Sequence, residues 1–525
     1  MVLVIIISYS IRFVRSSSIL TSTATNYFTQ RFPHPPIYLP SHYDVQPKAV
    51  GWMPRSMRSA FSWTFRPEEY ILLGATSPSI PPRTTKYRRQ HSCSWRNFIR
   101  VFTLRKVLVS VTLVPVFLFL AIVCQGIPPN YDDIRSFEHH LPQHSLSRHQ
   151  PQYLRFPGHL WGFGFNNVLQ EAILMSYLAY ATNVSFVFED YTWSHLPLPW
   201  TIYDFALRPA RIPLNALISG PTAGGPMPSA PNAPRAVNAE FYTQVCGGPD
   251  SQKRVISSLT APNDADGDVM IDWWVYQLAS VQEPCIEIDS SAHDVFDRHF
   301  FGNPRILSVW ESLTKSPMLT DFAWSPLVQA AVSRNFALLQ PESAKDLYDA
   351  HSRKSLAGLV AVHLRRGDYK RHCPNLARWG ADYMGINQHP SLPDRFDRSP
   401  YVNDTDARLS YYLDHCWPST EQVVERLRNI RKEHPGLKRV YVLSNEWAWS
   451  LDDLKNALEE DGWDDLVSST DIVLDSEQKH VAMAIDMAIA EKAEVFIGNG
   501  FSSLSSNVVM LRMAKGMEAE SNRFL

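Results

Sequence analysis

No charge of either sign dominates this chain. Its 525 residues carry 50 Lys and Arg against 52 Asp and Glu, a formal net charge of −2. Nucleic acid is therefore excluded as the main partner, because no global basic field exists to displace counterions from phosphates. An anion site, if there is one, must be local. Cysteine is scarce, with six residues, and none stands in a CxxC pair or a His/Cys cluster of zinc spacing. A metal site is accordingly not expected. Apolar residues are plentiful: 45% hydrophobic and 12% aromatic content exclude wholesale disorder. The length allows roughly two to four domains.

The neutral total hides an asymmetry. Residues 1–106 hold fifteen Lys and Arg but only three acids, Asp44, Glu68 and Glu69. Without periodicity, that segment reads as a basic, largely disordered cytosolic tail or as the product of a mis-assigned gene start. VLVSVTLVPVFLFLAIVC follows at 107–124, eighteen residues without a charge. That is about the minimum to span a bilayer. Six basic residues lie in 87–106, and Arg135 alone lies in 125–144. The positive-inside rule then puts the N-terminus in the cytosol and the rest in a lumen. The expectation is a single-pass type II protein of the Golgi or endoplasmic reticulum membrane. Asn183 and Asn403 open N-glycosylation sequons, in keeping with that side. Beyond the anchor, Cys246, Cys285, Cys373 and Cys416 permit two disulfides in three pairings.

Residues 125–152, rich in Pro, His and Ser, read as a stem. From 153 the chain turns globular. A turn at 158–164 leads into a helix with Leu169, Ile173, Tyr177 and Tyr180 at helical spacing, then a strand at 184–188. Residues 209–236, loaded with Pro, Ala and Gly, read as a long surface excursion. Segment 253–345 reads as mainly helical. Beyond 350, apolar β-rich runs at 357–364, 439–444 and 494–497 alternate with helical segments, the pattern of a doubly wound parallel sheet. Residues 374–410 read as a long loop. The fold class is α/β, with an N-terminal domain at 153–349 and a second at 350–525.

In such a sheet ligands bind beyond the carboxyl ends of the strands. Three strand ends there are chemically complementary. HLRRGDY offers His363, Arg365, Arg366 and Asp368. Arginine suits phosphate because its planar fork gives two parallel charge-assisted bonds. The second end, at 444–445, carries Ser444 and Asn445. GNGFSSLSSN offers glycines, serines and then a helix N-terminus, whose N–H groups and dipole favour an anion. Together the first and third would clamp a diphosphate. As an adhesion tripeptide, RGD is a poor reading directly behind a buried strand. NDADGD at 263–268 fails as a calcium loop, because Val269 takes the glycine position and no Glu closes it.

HLRRGDY resembles the first motif of the GDP-fucose-dependent fucosyltransferases, the group containing the α1,2-, α1,6- and protein O-fucosyltransferases. DMAIAEKAEVFIGNGFSSLSSNVVMLR resembles the last motif of that group. GFGFNN (162–167) and VYVLSNE resemble two weaker ones. The resemblance implies a GT-B fold of two Rossmann-like domains facing a cleft, the first of them on the acceptor side. It implies inverting transfer of fucose from GDP-fucose to a glycan or glycoprotein, with no metal cofactor, and the absence of an Asp-x-Asp metal motif at a suitable strand end fits that route. Carried over by motif, Arg365 binds the β-phosphate, and His363 and Asp368 shape its pocket. Asp486 contacts guanine, and Ser502, Ser503 and Ser505 hold phosphate. Gly164, Asn166 and Asn167 bind GDP-fucose from across the cleft, and Asn166 sits near phosphate and acceptor as a catalytic residue. Arg366, Lys370 and Arg371 are left as a solvated rim. The sequence departs from the family at Leu504, where Phe is common, and at Phe163, near the place of an acidic base. The base is left among Glu171, Glu189 and Asp190. A catalytically inactive GDP-sugar- or glycan-binding protein, or a transferase using another nucleotide sugar, stands as the alternative.

Overall fold

The computed structural model describes residues 126–145, 152–158, 164–203, 206–249, 251–289, 294–339 and 356–525, with eight positions between 109 and 122. The basic tail and most of the expected anchor lie outside them. Among the described residues no helix is long and apolar enough to cross a membrane.

Two five-stranded parallel sheets organise the chain. The first comprises β1 (Tyr153–Arg155), β2 (Ser185–Phe188), β3 (Val237–Asn238), β4 (Lys253–Ser257) and β5 (Cys285–Asp289), in the order β3-β2-β1-β5-β4. The second comprises β6 (Leu356–Leu364), β7 (Arg439–Ser444), β8 (Asp465–Ser468), β9 (Ala493–Gly498) and β10 (Asn522–Phe524), in the order β8-β7-β6-β9-β10. In the second sheet the winding reverses between β6 and β9. That reversal opens a crevice at the carboxyl ends of those two strands.

The second sheet is covered on both faces, so its strands are apolar on both. Val360, Val362 and Leu364 of β6 pack with Val423, Leu427 and Ile430 of helix Thr420–Glu433, named α1 here, and with Leu454 and Leu458 of α2 (Asp452–Glu460). Leu359 and Ala361 join the other core, with Ala484 and Ile485 of α3 (Ala482–Lys492) and Val508 and Leu511 of α4 (Ser503–Ala514). Successive β6 residues therefore serve opposite faces, as strand geometry requires. A capping box from Ser419 and Gln422 starts α1.

The helix Phe165–Ala181 is buried more completely than its amphipathic spacing predicts. Val168, Leu174 and Leu178 are buried beside Leu169 and Ile173. It packs on the first sheet and also against α4, where Gln170 Nε2 donates to Ser506 Oγ at 3.1 Å.

Three sequence expectations are corrected, and a fourth, the mainly helical segment 253–345, is extended. Residues 209–236 are no surface excursion: Ala216, Leu217, Ile218 and Ala223 are fully buried. Side chains satisfy that segment's buried carbonyls, Ser325 donating to Ala216 O and Arg235 to Gly224 O. Segment 253–345 holds two parallel strands, β4 and β5, besides its helices. The loop expected at 374–410 shrinks, because helices span Tyr369–Trp379 and Thr405–Cys416. Pro374 inside the first of these concealed it. Finally, part of the supposed stem belongs to the folded body. Tyr131 and Leu141 are buried, and the Tyr131 hydroxyl donates to Glu477 O at 3.0 Å.

The four cysteines pair as Cys246–Cys285 and Cys373–Cys416, across 39 and 43 residues. Closing loops of that length removes about 4 kcal/mol of denatured-state entropy each in the chain model. The second bridge ties the helix behind HLRRGDY to Thr405–Cys416. The sequon residues Asn183 and Asn403 are both exposed.

Candidate active site

The site is built where β6 and β9 end. His363 shares the face of Leu359 and Ala361 and is buried. Its Nδ1 meets Ser505 Oγ at 2.9 Å, and the same oxygen accepts the Asn499 N–H at 2.9 Å. Burial, reinforced by the Arg365 charge, pushes the imidazole down to about 3. His363 is thus a neutral strut between the first motif and α4, not a cation for phosphate. Ser505 is fully buried in the same contact, so its hydroxyl joins protein to protein. Gly498 permits this approach, since a Cβ there would lie 2.9 Å from the Ser505 Cβ.

The two arginines part company, as the period of two demands. Arg365 follows the His363 face and is 38% exposed. Its Nε donates to Asp368 Oδ1 at 3.0 Å and its Nη2 to Oδ2 at 3.2 Å. This paired fork lies 5.6 Å over the Tyr369 ring. The buried Tyr369 hydroxyl donates to Phe501 O at 3.3 Å, linking the motif to the serine-rich turn. Burial raises that hydroxyl to about 12, so it stays protonated.

Arg366 follows the Leu364 face instead and is only 8% exposed. Its Nη1 donates to Pro418 O at 2.7 Å, and its guanidinium lies 6.0 Å over Trp417. The expectation of a solvated rim fails for Arg366, which is a structural residue. Lys370 and Arg371 are both exposed.

Helix α4 begins at Ser503, with Ser502 at its N-cap position. The N–H groups of its first turn have no intrahelical acceptor. They stand at the β9 end of the crevice. The turn before it is held by side chains that sequence reasoning missed. Asn499 is fully buried, its Nδ2 donating to Cys416 O at 2.8 Å and its Oδ1 accepting the Phe501 N–H. Asn387 Nδ2 donates to Gly500 O, and the Tyr383 ring lies so close that a Cβ on Gly500 would sit 2.4 Å from it. Asn445 was likewise placed at a strand end without a role. Its Oδ1 accepts the Arg366 N–H at 2.8 Å, and its Nδ2 reaches Asp368 at 3.4 Å, so it brackets the RRGD turn.

Asp486 lies on the same sheet face, one strand over. Tyr441, paired in register with Ala361, donates to Oδ1 at 2.6 Å, and Ser469 donates to Oδ2 at 2.9 Å. Burial raises this carboxyl to about 6, against the pull of those two bonds. A raised acid stabilises the fold while protonated, and that contribution is lost as pH climbs from the unfolded value of 3.8 through about 6. Asp486→Asn does not titrate. Its Tm relative to wild type should therefore rise between about pH 5 and pH 7.5. A difference that is flat or falls over that range would contradict the assignment.

Asn166 is brought to the same place from the other sheet. Asn507 of α4 donates from Nδ2 to Asn166 O at 2.9 Å and to its Oδ1 at 3.1 Å. Asn167 donates its N–H to Gly164 O, and Gly164 is exposed with open space around it. Gly162 and Phe163 lie outside the described residues. The three carboxylates considered for the base are not presented alike. Glu171 is buried, Glu189 holds Arg155 at 2.9 Å, and Asp190 holds Arg135 at 2.9 Å. Among the described residues no His, Cys, Asp and Glu cluster has the makings of a metal site.

Comparison with known proteins follows the same lines. Residues 328–515 match the family of GDP-fucose protein O-fucosyltransferases. This span runs from before β6 through α4. No curated protein sequence matches the chain. The solved structures it resembles include POFUT1 in complex with GDP, at 15% identity and a TM-score of 0.43 over 72% of this chain and 99% of that one. POFUT1 in complex with GDP-fucose gives 15% and 0.43, over 71% and 98%. A mutant of Arabidopsis thaliana FUT1 in complex with GDP gives 11% and 0.34, over 75% and 74%. The matched span holds both HLRRGDY and GNGFSSLSSN, so motifs and family match agree that this part of the chain is similar to the GDP-fucose protein O-fucosyltransferases.

Proposed function

We propose that this protein transfers fucose from GDP-fucose to a hydroxyl of a glycan or glycoprotein, with inversion, without a metal, on a GT-B arrangement. The carrying observation is the aimed, partly exposed Arg365 fork on the same sheet face as the first turn of α4. In direct displacement at the anomeric carbon, the acceptor oxygen forms the new bond as its proton passes to a base or to the departing diphosphate, while the bond to the β-phosphate oxygen breaks. The departing diphosphate gains charge. A prepositioned guanidinium and N–H donors stabilise that charge with little reorganisation. To receive phosphate, Arg365 loosens its hold on Asp368. Ser502 and Ser503 flank the N–H donors, and Asp486 accepts from the guanine edge. His363 and Ser505 keep the two motifs in register.

Two disulfides support a lumenal, oxidising location, and with the sequons they favour the Golgi or endoplasmic reticulum. The specific observation behind the non-catalytic alternative is that Glu189 and Asp190 are both held by arginines.

The deciding experiment uses the full chain in detergent, with GDP-fucose and a broad acceptor panel, and measures GDP release with and without EDTA. Release that persists in EDTA and needs Arg365 supports the transferase. Tight GDP binding without release supports the binding protein, and absence of GDP binding sinks both.

A further inference from the structure

The face of the second sheet opposite Arg365 carries its own cavity, about 220 Å³ in volume, beyond the end of β6. Arg366, Trp417, Ser419, Thr420, Glu446 and Ser450 line it. Drug-sized ligands occupy about 300 Å³ or more, so this cavity suits something smaller than a nucleotide. Its position follows from the split of the two arginines: Arg365 goes to the α3/α4 side, Arg366 to the α1/α2 side.

The lining disfavours an anion. The Arg366 guanidinium is already committed to Pro418 O and feels the Glu446 charge. The N-terminus of α1 is closed by its capping box, Ser419 N–H donating to Gln422 Oε1 at 2.7 Å. Glu446 is half-buried, and among the described residues its carboxylate accepts no hydrogen bond. The site thus offers a strong acceptor in Glu446, the Thr420 hydroxyl and a Trp417 ring, while the Ser419 and Ser450 hydroxyls already donate to Glu421 and to Trp447 O and can only accept, and Lys370 lies 5.9 Å over that ring.

The loop that leaves the cavity reads NEWAWS. It holds Trp447 and Trp449 at 73% and 74% exposure. Indoles left that open mark a surface that is covered in use. They are rigid, amphipathic and one residue apart. A ligand with hydroxyls on its edge and C–H groups on its faces meets an acid and indoles together.

We propose that this cavity and the adjoining Trp447 and Trp449 form a second ligand site, for a neutral saccharide. It is separate from the nucleotide crevice and does not depend on the donor being GDP-fucose. A sugar unit would enter beside Trp417 with its hydroxyls on Glu446, and the neighbouring units of the chain would lie along the two exposed indoles.

The test uses the full chain in detergent with cellotetraose, xylotetraose and chitotetraose as neutral probes and a heparin-derived tetrasaccharide as the charged one. Calorimetry and tryptophan fluorescence read binding, and GDP affinity is measured in parallel. At least one neutral probe should bind in the presence of saturating GDP. Trp447→Ala/Trp449→Ala should weaken it about tenfold or more, the scale of a lost aromatic anchor, with GDP affinity unchanged. Glu446→Gln provides an independent variant with the same expected direction. No neutral binding, preference for the sulfated probe, competition by GDP, or binding that survives both variants each overturns the proposal.

Discussion

Arg365→Ala will keep the fold and lose the chemistry. The side chain is 38% exposed, and its bonded partner Asp368 is 57% exposed. Such an ion pair contributes little to stability, so unfolding should change by no more than about 0.5 kcal/mol. Turnover should fall by about 10²–10³, the effect of removing one preorganised donor from developing charge. Arg365→Lys should restore only a small part, because an ammonium cannot present two parallel N–H bonds. Arg366→Ala should behave in reverse. It strands the buried Pro418 carbonyl and the packing over Trp417, at about 2–3 kcal/mol, with GDP affinity of the surviving fold nearly unchanged. Paired urea titrations and GDP-release assays decide the matter. If Arg365→Ala turns over normally, the nucleotide crevice has been misplaced. If Arg366→Ala is as stable as wild type, the division of the two arginines between sheet faces is wrong.

That division was within reach of the sequence. Period two along VAVHLRR already sends neighbouring side chains to opposite faces, and β6, β7 and β9 are plain as apolar, β-branched runs. The strands that escaped notice lack such a signal. Residues Lys253–Ser257 are mostly exposed, and β3 is only two residues long. The site residues divide in the same way. Arg365, Asp368 and Asp486 belong to contiguous motifs. Asn445, Asn499 and Asn387 hold backbone atoms of segments remote in sequence, and a lone asparagine in a turn reads the same whether or not it does so. The serines show a further limit. Ser505 looks equivalent to Ser502 and Ser503 in the sequence, yet it is consumed by His363, 142 residues away. Burial, not residue type, separates them: Ser505 and Ser502 are buried, and Ser503 is half-buried.

The largest loss of stability is expected at Arg512, the last residue of the segment DMAIAEKAEVFIGNGFSSLSSNVVMLR. It lies in α4, fully buried. Its Nη1 donates to the carbonyls of Ala490, Glu491 and Ala493, its Nη2 to those of Glu494 and Ser521, and its Nε to Asn522 Oδ1. One guanidinium thereby fastens α4 to the end of α3, the start of β9 and the approach to β10. Burial lowers its pKa to about 9, which leaves it charged at neutral pH. Arg512→Leu would leave those acceptors in a dry interior. Each costs about 1–3 kcal/mol, so even partial relaxation leaves a loss of about 4 kcal/mol or more. Arg512→Lys should recover little, since a point charge cannot reach the same set of carbonyls. Because α4 also presents the N–H groups of the nucleotide crevice, surviving Arg512→Lys protein should bind GDP more weakly than wild type. Thermal unfolding with and without GDP checks both effects, and a Tm drop for Arg512→Leu below about 2 °C would refute the account.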